Sequence, residues 1–307
     1  MTLRPSSVAD LAAMTRDAAG QAAPLRIVGG GSWLRAGGEV SADAERLDVS
    51  ALSGILEYVP GDLTLTARTG TTLADLDAAT APHGQWCPLL PWGTDDATLG
   101  AVFATATTGP FHLSLGRPRD LALGLEFVDG SGSVARGGGR VVKNVAGFDL
   151  TRLLVGSWGT LGTITEVSVR LRGRPKVDET WAVDIDPDDL ASRARLGTFE
   201  RGPHAPLAAA LLGPDESAAL GLARKNLALI RLGGNASHVA SSRDAIRALG
   251  PALQCDSSVW TRFRATERPE NAVAIPRGFA DSLSRRIKQQ FDPRHILNPG
   301  ILGEAAA

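Results

Sequence analysis

Along this chain the spacing of apolar residues switches between a helical period of about 3.6 and a strand period of about 2, and the switches mark the elements. A helical stretch falls near residues 7–19, a short strand at 25–28 follows, and the chain then enters three consecutive glycines. "LTLTARTG" over 63–70 alternates as a half-buried strand. "TTLADLDAATAPHG" predicts a helix with Thr72 as N-cap, Asp75 three residues on and Gly84 at its end. In "LPWGTDDATLGAVFATATTGP", Pro91 and Gly93 mark a loop, Asp95 or Asp96 is the expected cap, and the small residues of 97–107 form a short helix.

"DLALGLEFVDGSGSVARGGG" predicts two strands joined at Asp129-Gly130, a hairpin. "GFDLTRLLVGSWGTLGTITEVSVRLRG" predicts a short helix, a glycine-punctuated turn and a strand with Val167, Val169 and Leu171 on one face. Arg172-Gly173-Arg174-Pro175 closes this first unit. "TWAVDID" and "LALIRLGG" are strands, each followed by a helical stretch, near 187–197 and 238–249. The end, "SLSRRIKQQFDPRHILNPGIL", is a basic helix broken by Pro293 and followed by a loop tail. The pattern is α+β, in three segments: a first domain over 1–172, a small α+β domain over 173–280 and a C-terminal segment over 281–307.

Composition narrows what such a protein does. The 307 residues are 43% hydrophobic, enough to fill two cores. Lys plus Arg number 32 against 33 Asp plus Glu, so no strong field draws in nucleic acid or an anionic membrane. The amino terminus lacks the apolar core of a secretion signal, and no apolar run reaches the roughly 18 residues of a membrane span. The expected place is the cytoplasm, with docking to a membrane-bound partner left open. Cys87 and Cys255 are too few to ligate an iron–sulfur cluster, which takes about four cysteines. The five histidines form no H-x-x-x-H pair, so no metal site is expected.

The chemistry lies in the glycines. Glycine-rich or small-residue stretches recur at 29–31, near 100–109, at 137–139 and in the series Gly156, Gly159, Gly162. The first run is no Rossmann fingerprint, since Leu34 stands where the third glycine belongs, and it lacks the Gly-Lys-Ser/Thr of a P-loop. A single stretch of this kind is a turn needing positive φ. Four together fit a large ligand lying along the main chain, with backbone N–H groups converging on anionic oxygens.

"IVGGGS", "PWGTDDATLGAVFATATTGP", "GRPRDLALGLEFVDGSG", "VVKNVAGFDLTRLLVGSWGTLGTITEVSVRL" and "FDPRHILNPG", in this order, resemble flavin-linked oxidases of the vanillyl-alcohol oxidase type. Within that family the match is greatest to the FAD-binding E subunits of glycolate oxidases. The resemblance covers residues 20–172 and the tail well and the middle weakly. It implies a PCMH-type FAD-binding domain of two subdomains with FAD extended between them, a small α+β cap domain, and a C-terminal segment returning to the FAD domain.

Carried onto this sequence, the resemblance puts Gly29, Gly30, Gly31 and Ser32 around the pyrophosphate, with Trp33 continuing the loop. Pro91, Thr98, Leu99, Gly100, Ala104, Thr105, Thr107 and Gly109 fall in the stretches that approach the pyrophosphate and the ring. Gly159, Gly162 and Ile164 belong to the start of a strand whose main chain addresses the adenine end. Lys143 and Asn144 match the pattern without an assigned role. Asn298, Pro299 and Gly300 either sit near the ring or form a Pro-Gly turn that closes the fold. Ser32 stands in a loop where relatives with tethered flavin often carry histidine, so the FAD is expected to be non-covalent.

Each polar candidate has a plainer reading beside the functional one. Asp149 is a helix cap or a cofactor contact; Lys143 is a solvated loop lysine or a cofactor neighbour. Asp120 pairs with Arg117 or Arg119 at the surface, and His112, just past the small-residue helix, is structural or reaches a ring edge. Trp86, Trp92 and Trp158 pack or shelter a ring.

Hydroxy-acid dehydrogenases of this family carry a histidine-rich "G-x-x-G-D-G-N-x-H" stretch, and this sequence has none. No catalytic base is therefore assigned. The resemblance implies an FAD-binding subunit of a glycolate oxidase-like complex, with a larger flavoprotein catalytic subunit and an iron–sulfur subunit as partners. Two alternatives stand beside it: an autonomous FAD-dependent oxidoreductase of a small alcohol or 2-hydroxy acid, and a non-catalytic assembly subunit.

Overall fold

The structure, a computed structural model, describes residues 2–139, 149–266 and 281–303. A small parallel sheet orders β1 (Thr2–Leu3), β3 (Glu45–Asp48) and β2 (Leu25–Val28) as β1-β3-β2. Helix α1 (Val8–Gln21) starts where the Ser7 hydroxyl accepts the Asp10 N–H at 3.0 Å. Leu11 of the helix and Leu25 and Leu47 of the strands are fully buried in one cluster. Leu297, from the far end of the chain, belongs to the same cluster and bridges in parallel to Leu25.

The second sheet is antiparallel, in the order β4-β5-β9-β7-β8. Its strands are β4 (Ile55–Val59), β5 (Thr64–Arg68), β7 (Ala122–Val128), β8 (Val134–Gly138) and β9 (Thr163–Arg170). The β7–β8 hairpin forms as the sequence predicts, and Asp129 Oδ1 holds its turn by accepting the N–H groups of Ser131 and Ser133. Val167, Val169 and Leu171 do share one buried face, against α2 (Leu73–Thr80) and α3 (Leu99–Thr105). The capping box at Thr72 and Asp75 is present. The cap of α3 is neither Asp95 nor Asp96 but Thr98, whose hydroxyl accepts the Ala101 N–H. A hydroxyl adjoining the first turn reaches that donor, and Asp95 instead pairs with Arg264 at 2.7 Å.

On the other face of this sheet, Glu126 accepts from the Thr165 hydroxyl at 2.8 Å and takes the Arg136 guanidinium fork at 2.9 and 2.6 Å. Arg68 pairs with Glu166 at 2.8 Å beside it.

The third sheet orders β12-β13-β11-β14, all antiparallel, from β11 (Val177–Asp184), β12 (Ala208–Leu212), β13 (Leu227–Gly234) and β14 (Ala252–Cys255). One face carries α7 (Leu190–Arg201) and α9 (Ala236–Arg247) through Trp181, Ile230, Leu196 and Val239. The other face packs Leu229 and Leu212 against Phe111, Leu115 and Trp260. The short β12 and β14 escape sequence reading because runs of alanine and a four-residue edge carry little alternation. A helix over Ser282–Phe291 brings the chain back to the first two sheets, where Lys288 and Asp292 form a buried pair at 2.6 Å. Among the described residues no helix is long and apolar enough to cross a membrane.

Candidate functional site

The strand β2 ends at Val28, and the chain leaves it through Gly29, Gly30 and Gly31 into a turn closed by Leu34 N–H to Gly31 C=O and Ala36 N–H to Trp33 C=O. Gly31 has φ of +87°, a conformation that favours glycine. A Cβ on Gly29 would lie 2.5 Å from the Thr98 hydroxyl, so only glycine lets β2 run this close to the cap of α3. The main-chain N–H groups of residues 29 to 33 make no hydrogen bond to any described residue. Five successive unspent donors beside a cleft form a nest for anionic oxygens.

The cleft, open to solvent on one side, spans about 810 Å³. Of the loop, Gly29, Gly31, Ser32 and Trp33 line it, and Gly30 does not. From the cap and helix come Thr98, Gly100, Ala104 and Thr105; Leu99 and Thr107 stay buried outside it. Gly159, Gly162 and Ile164 line the opposite wall with Trp158. Pro91 and Gly109 lie apart, where a Cβ on Gly109 would fall 2.0 Å from the Leu90 carbonyl oxygen. Lys143 and Asn144 fall outside the described residues.

The start of α3 contributes shape rather than donors. The Leu99 N–H is spent on Thr71 C=O at 2.9 Å and the Gly100 N–H on Thr69 C=O at 2.8 Å. At the other end of α3 the carbonyls of Phe103 and Ala104 accept from Gly156 and Trp158 at 2.9 and 2.8 Å, tying the small-residue helix to the glycine turn. Trp158 sits at φ +57°. Asn298 reaches this turn from the tail: its Nδ2 donates to Trp158 C=O, while its Oδ1 accepts the Ile27 N–H. Asn298 thus lines the cleft and ties the tail to Ile27 and Trp158.

Two buried polar atoms at this cleft lack partners: Trp33 Nε1 and Thr163 Oγ1, on side chains 9% and 2% exposed. A buried unpaired donor or hydroxyl is costly, and a bound polar ligand removes the cost. With the unspent N–H groups and the thin walls, these atoms fit a dinucleotide carrying a diphosphate and a planar ring. Thr163 was missed in the sequence because it alternates with buried apolar neighbours as an ordinary strand position. Arg26, also missed, has its guanidinium on the Leu34 carbonyl and is the only titratable side chain lining the cleft among the described residues.

The other candidates lie elsewhere. Asp149 caps its short helix by accepting the Arg152 N–H at 3.0 Å. Among the described residues Asp120 forms no ion pair; it accepts the Arg117 main-chain N–H at 3.1 Å. His112 is half-buried, and its Nδ1–H is directed at Gly109 C=O at 2.8 Å. Trp92 packs edge-on against Phe263.

Comparison with known proteins agrees with this geometry. Residues 1–138 match the model of an FAD binding domain. The chain is 40% identical over 171 residues to glycolate oxidase subunit GlcE of Escherichia coli, covering 55% of this chain and 48% of that protein. It is 36% identical over 142 residues to glycolate oxidase subunit GlcD of Bacillus subtilis, 46% of this chain and 30% of that one. To a D-lactate dehydrogenase of Archaeoglobus fulgidus it is 33% identical over 171 residues, 56% and 38% of the two chains. The matches thus span half or less of each relative. Among solved structures, an alkyldihydroxyacetonephosphate synthase superposes with a TM-score of 0.69 at 17% identity over 87% of this chain and 55% of that one, a likeness of fold. The fold is that of an FAD-binding protein with mixed helix and sheet, and its cofactor is FAD.

Proposed function

We propose that this chain, an FAD-binding relative of the FAD-linked oxidoreductases, is the flavin-holding subunit of a complex that oxidises a small 2-hydroxy acid, glycolate, to glyoxylate. The observation that carries this reading is the nest of five unspent N–H groups at residues 29 to 33, opening on a cleft with two unpartnered buried donors. Bound FAD supplies a two-electron acceptor for the hydride of an alcohol carbon.

In this proposal the N–H groups of residues 29 to 33 and the Trp33 indole hold the diphosphate. Gly100, Ala104 and Thr105 present a thin wall to the flat ring, and Gly159, Gly162, Thr163 and Ile164 face the adenine end. Pro91, Leu99, Thr107 and Gly109 act one layer back, by shaping the loop and helix that carry that wall; Lys143 and Asn144 remain assigned by resemblance alone. We take residues 1–172 as the FAD-binding domain, 173–280 as a reduced cap and 281–307 as the returning segment; the stretch 267–280 lies outside the described residues.

Oxidising a hydroxyl also requires a base within hydrogen-bond reach of its proton. Among the described residues the cleft lining offers only the cationic Arg26 as a titratable group. This supports a partner, a larger flavoprotein, as the source of the base; an iron–sulfur subunit that takes the electrons onward rests on the resemblance alone.

The purified chain reconstituted with FAD is expected to show flavin absorbance with little bleaching by glycolate, and to be bleached when its larger flavoprotein partner is added. Rapid stoichiometric bleaching by glycolate alone would replace the subunit reading with that of an autonomous oxidase. A colourless chain that takes up no FAD would end both.

A further inference from the structure

A second cavity, of about 1,030 Å³, lies between the first two sheets' helices and the third sheet, and it shares no lining residue with the flavin cleft. One side is formed by α2, by Trp86 of the short strand Gln85–Trp86 and by Cys87 and Leu89 just after it; the other by Arg231 of β13 and by Trp260 and Arg264 of the helix Val259–Thr266. Arg174 joins them from the connection between the two halves.

The three guanidiniums are fixed in the same way. Arg174 spends Nε on Gln85 C=O and Nη2 on Asp77; Arg231 spends both on Asp178; Arg264 spends Nε on Pro91 C=O and Nη2 on Asp95. In each, Nη1 has no hydrogen-bond partner among the described residues. Two of the heads lie against aromatic faces, Arg174 at 5.9 Å from the Trp86 ring and Arg231 at 5.2 Å from Phe111. Arg264 is 3% exposed. The indole Nε1 of Trp86, a residue 6% exposed, is a fourth donor without a partner. Each guanidinium is matched by one carboxylate, Asp77, Asp178 or Asp95, so the three pairs balance in charge and what the lining offers is unspent N–H donors held in place. Burial pushes the Cys87 thiol up to about 12, so it adds no negative charge.

We propose that this cavity binds an organic carboxylate with an apolar body, the carboxylate on the unspent guanidinium and indole donors and the body against Leu73, Leu76, Leu89, Phe111 and Trp260. Preset guanidiniums lose little entropy on taking a carboxylate, and charge-assisted bonds inside a partly dry cavity are strong. An inorganic anion leaves the apolar wall uncovered, and a neutral aromatic leaves the donors unmet. The site stands apart from the flavin reading, because none of its residues touches that cleft.

The test uses the full-length FAD-loaded chain and three probes: phenylacetate, 2-phenylethanol and acetate. Titration calorimetry and melting temperature report binding, and flavin absorbance in the same samples reports cofactor content. Phenylacetate is expected to bind saturably and raise the melting temperature, with the neutral alcohol and acetate each at least about tenfold weaker. Arg174→Gln and, with the fold kept, Trp86→Phe should each weaken phenylacetate several-fold and leave flavin content unchanged. Equal binding of the alcohol, no saturation by phenylacetate, or unchanged affinity in both variants would overturn the proposal. Release of flavin by phenylacetate would place the acid in the other cleft and overturn it too. A chain that lacks flavin yet binds phenylacetate as described would defeat the oxidation reading and leave this one standing.

Discussion

Asn298 donates from its side-chain amide to the carbonyl of Trp158 at 2.8 Å, joining the tail to a tryptophan held at φ +57° on the wall of the cleft beside the glycine loop. The same amide accepts from Ile27 at 2.7 Å, just before the glycine loop. One buried side chain therefore sets the separation of the two walls. Asn298→Ala should destabilise the protein by about 1–3 kcal/mol, since it strands a buried carbonyl and a buried N–H. It should also weaken FAD retention on dialysis, while a variant that melts like the wild type and keeps its flavin would show that the amide does not couple the walls.

Thr163→Val gives a prediction of opposite signs. The side chains are nearly the same size, and the hydroxyl has no partner among the described residues. Its removal should leave the apo protein as stable or more so, by up to about 1 kcal/mol, while lowering FAD affinity. Melting curves with and without FAD separate the two effects. Equal losses in both would mean that the hydroxyl serves the fold.

Much of this was legible in the sequence, for identifiable reasons. Val167, Val169 and Leu171 declared their strand because alternation survives wherever one sheet face is buried. The glycine run at 29–31 declared its loop because few residue types tolerate that backbone. What stayed hidden depends on partners distant in the chain. Asp95 looked like a helix cap until Arg264, 169 residues away, took its carboxylate. The N–H groups of Leu99 and Gly100 belonged to a helix start that looked free, and the turn at Thr69 to Thr71 uses them. Asn298 showed its sequence role as a turn residue, and its bonds to both cleft walls are purely tertiary.

The carboxylate network behind the second sheet should make stability depend on acid. Burial alone would raise the Glu126 carboxyl, but the Thr165 hydroxyl and Arg136 outweigh it and hold it below its usual value. A depressed folded value adds stability above the unfolded value and loses it as pH falls through the folded one. For Glu166, burial first and then the charge of Glu126 act the other way and raise it. Glu126→Gln should therefore cost about 1–3 kcal/mol at neutral pH. Urea melts should show the gap to wild type closing as pH falls from about 5 toward about 2. A gap that holds constant across that range would refute the assignment.

The thiols and the flavin offer a simple check on attachment and burial. Cys87 is buried with its thiol raised to about 12, and burial also raises the half-buried Cys255. At mild alkaline pH the native chain should label slowly, at Cys255 first, and Cys87 only on unfolding. The same unfolding should release free FAD. Flavin that stays on the denatured chain, or rapid labelling of Cys87 in the native one, would contradict these expectations.

The bond between Ile27 and Asn298 joins residues 271 positions apart. A ribosome adding about 5–20 residues each second makes the glycine loop about 14 to 54 seconds before the side chain that anchors it. During that interval the walls at residues 98–105 and 158–164 are already made but the tie between Ile27 and Trp158 is missing. Flavin capture thus waits for residue 298, and a nascent chain stalled short of it should emerge folded in part and colourless.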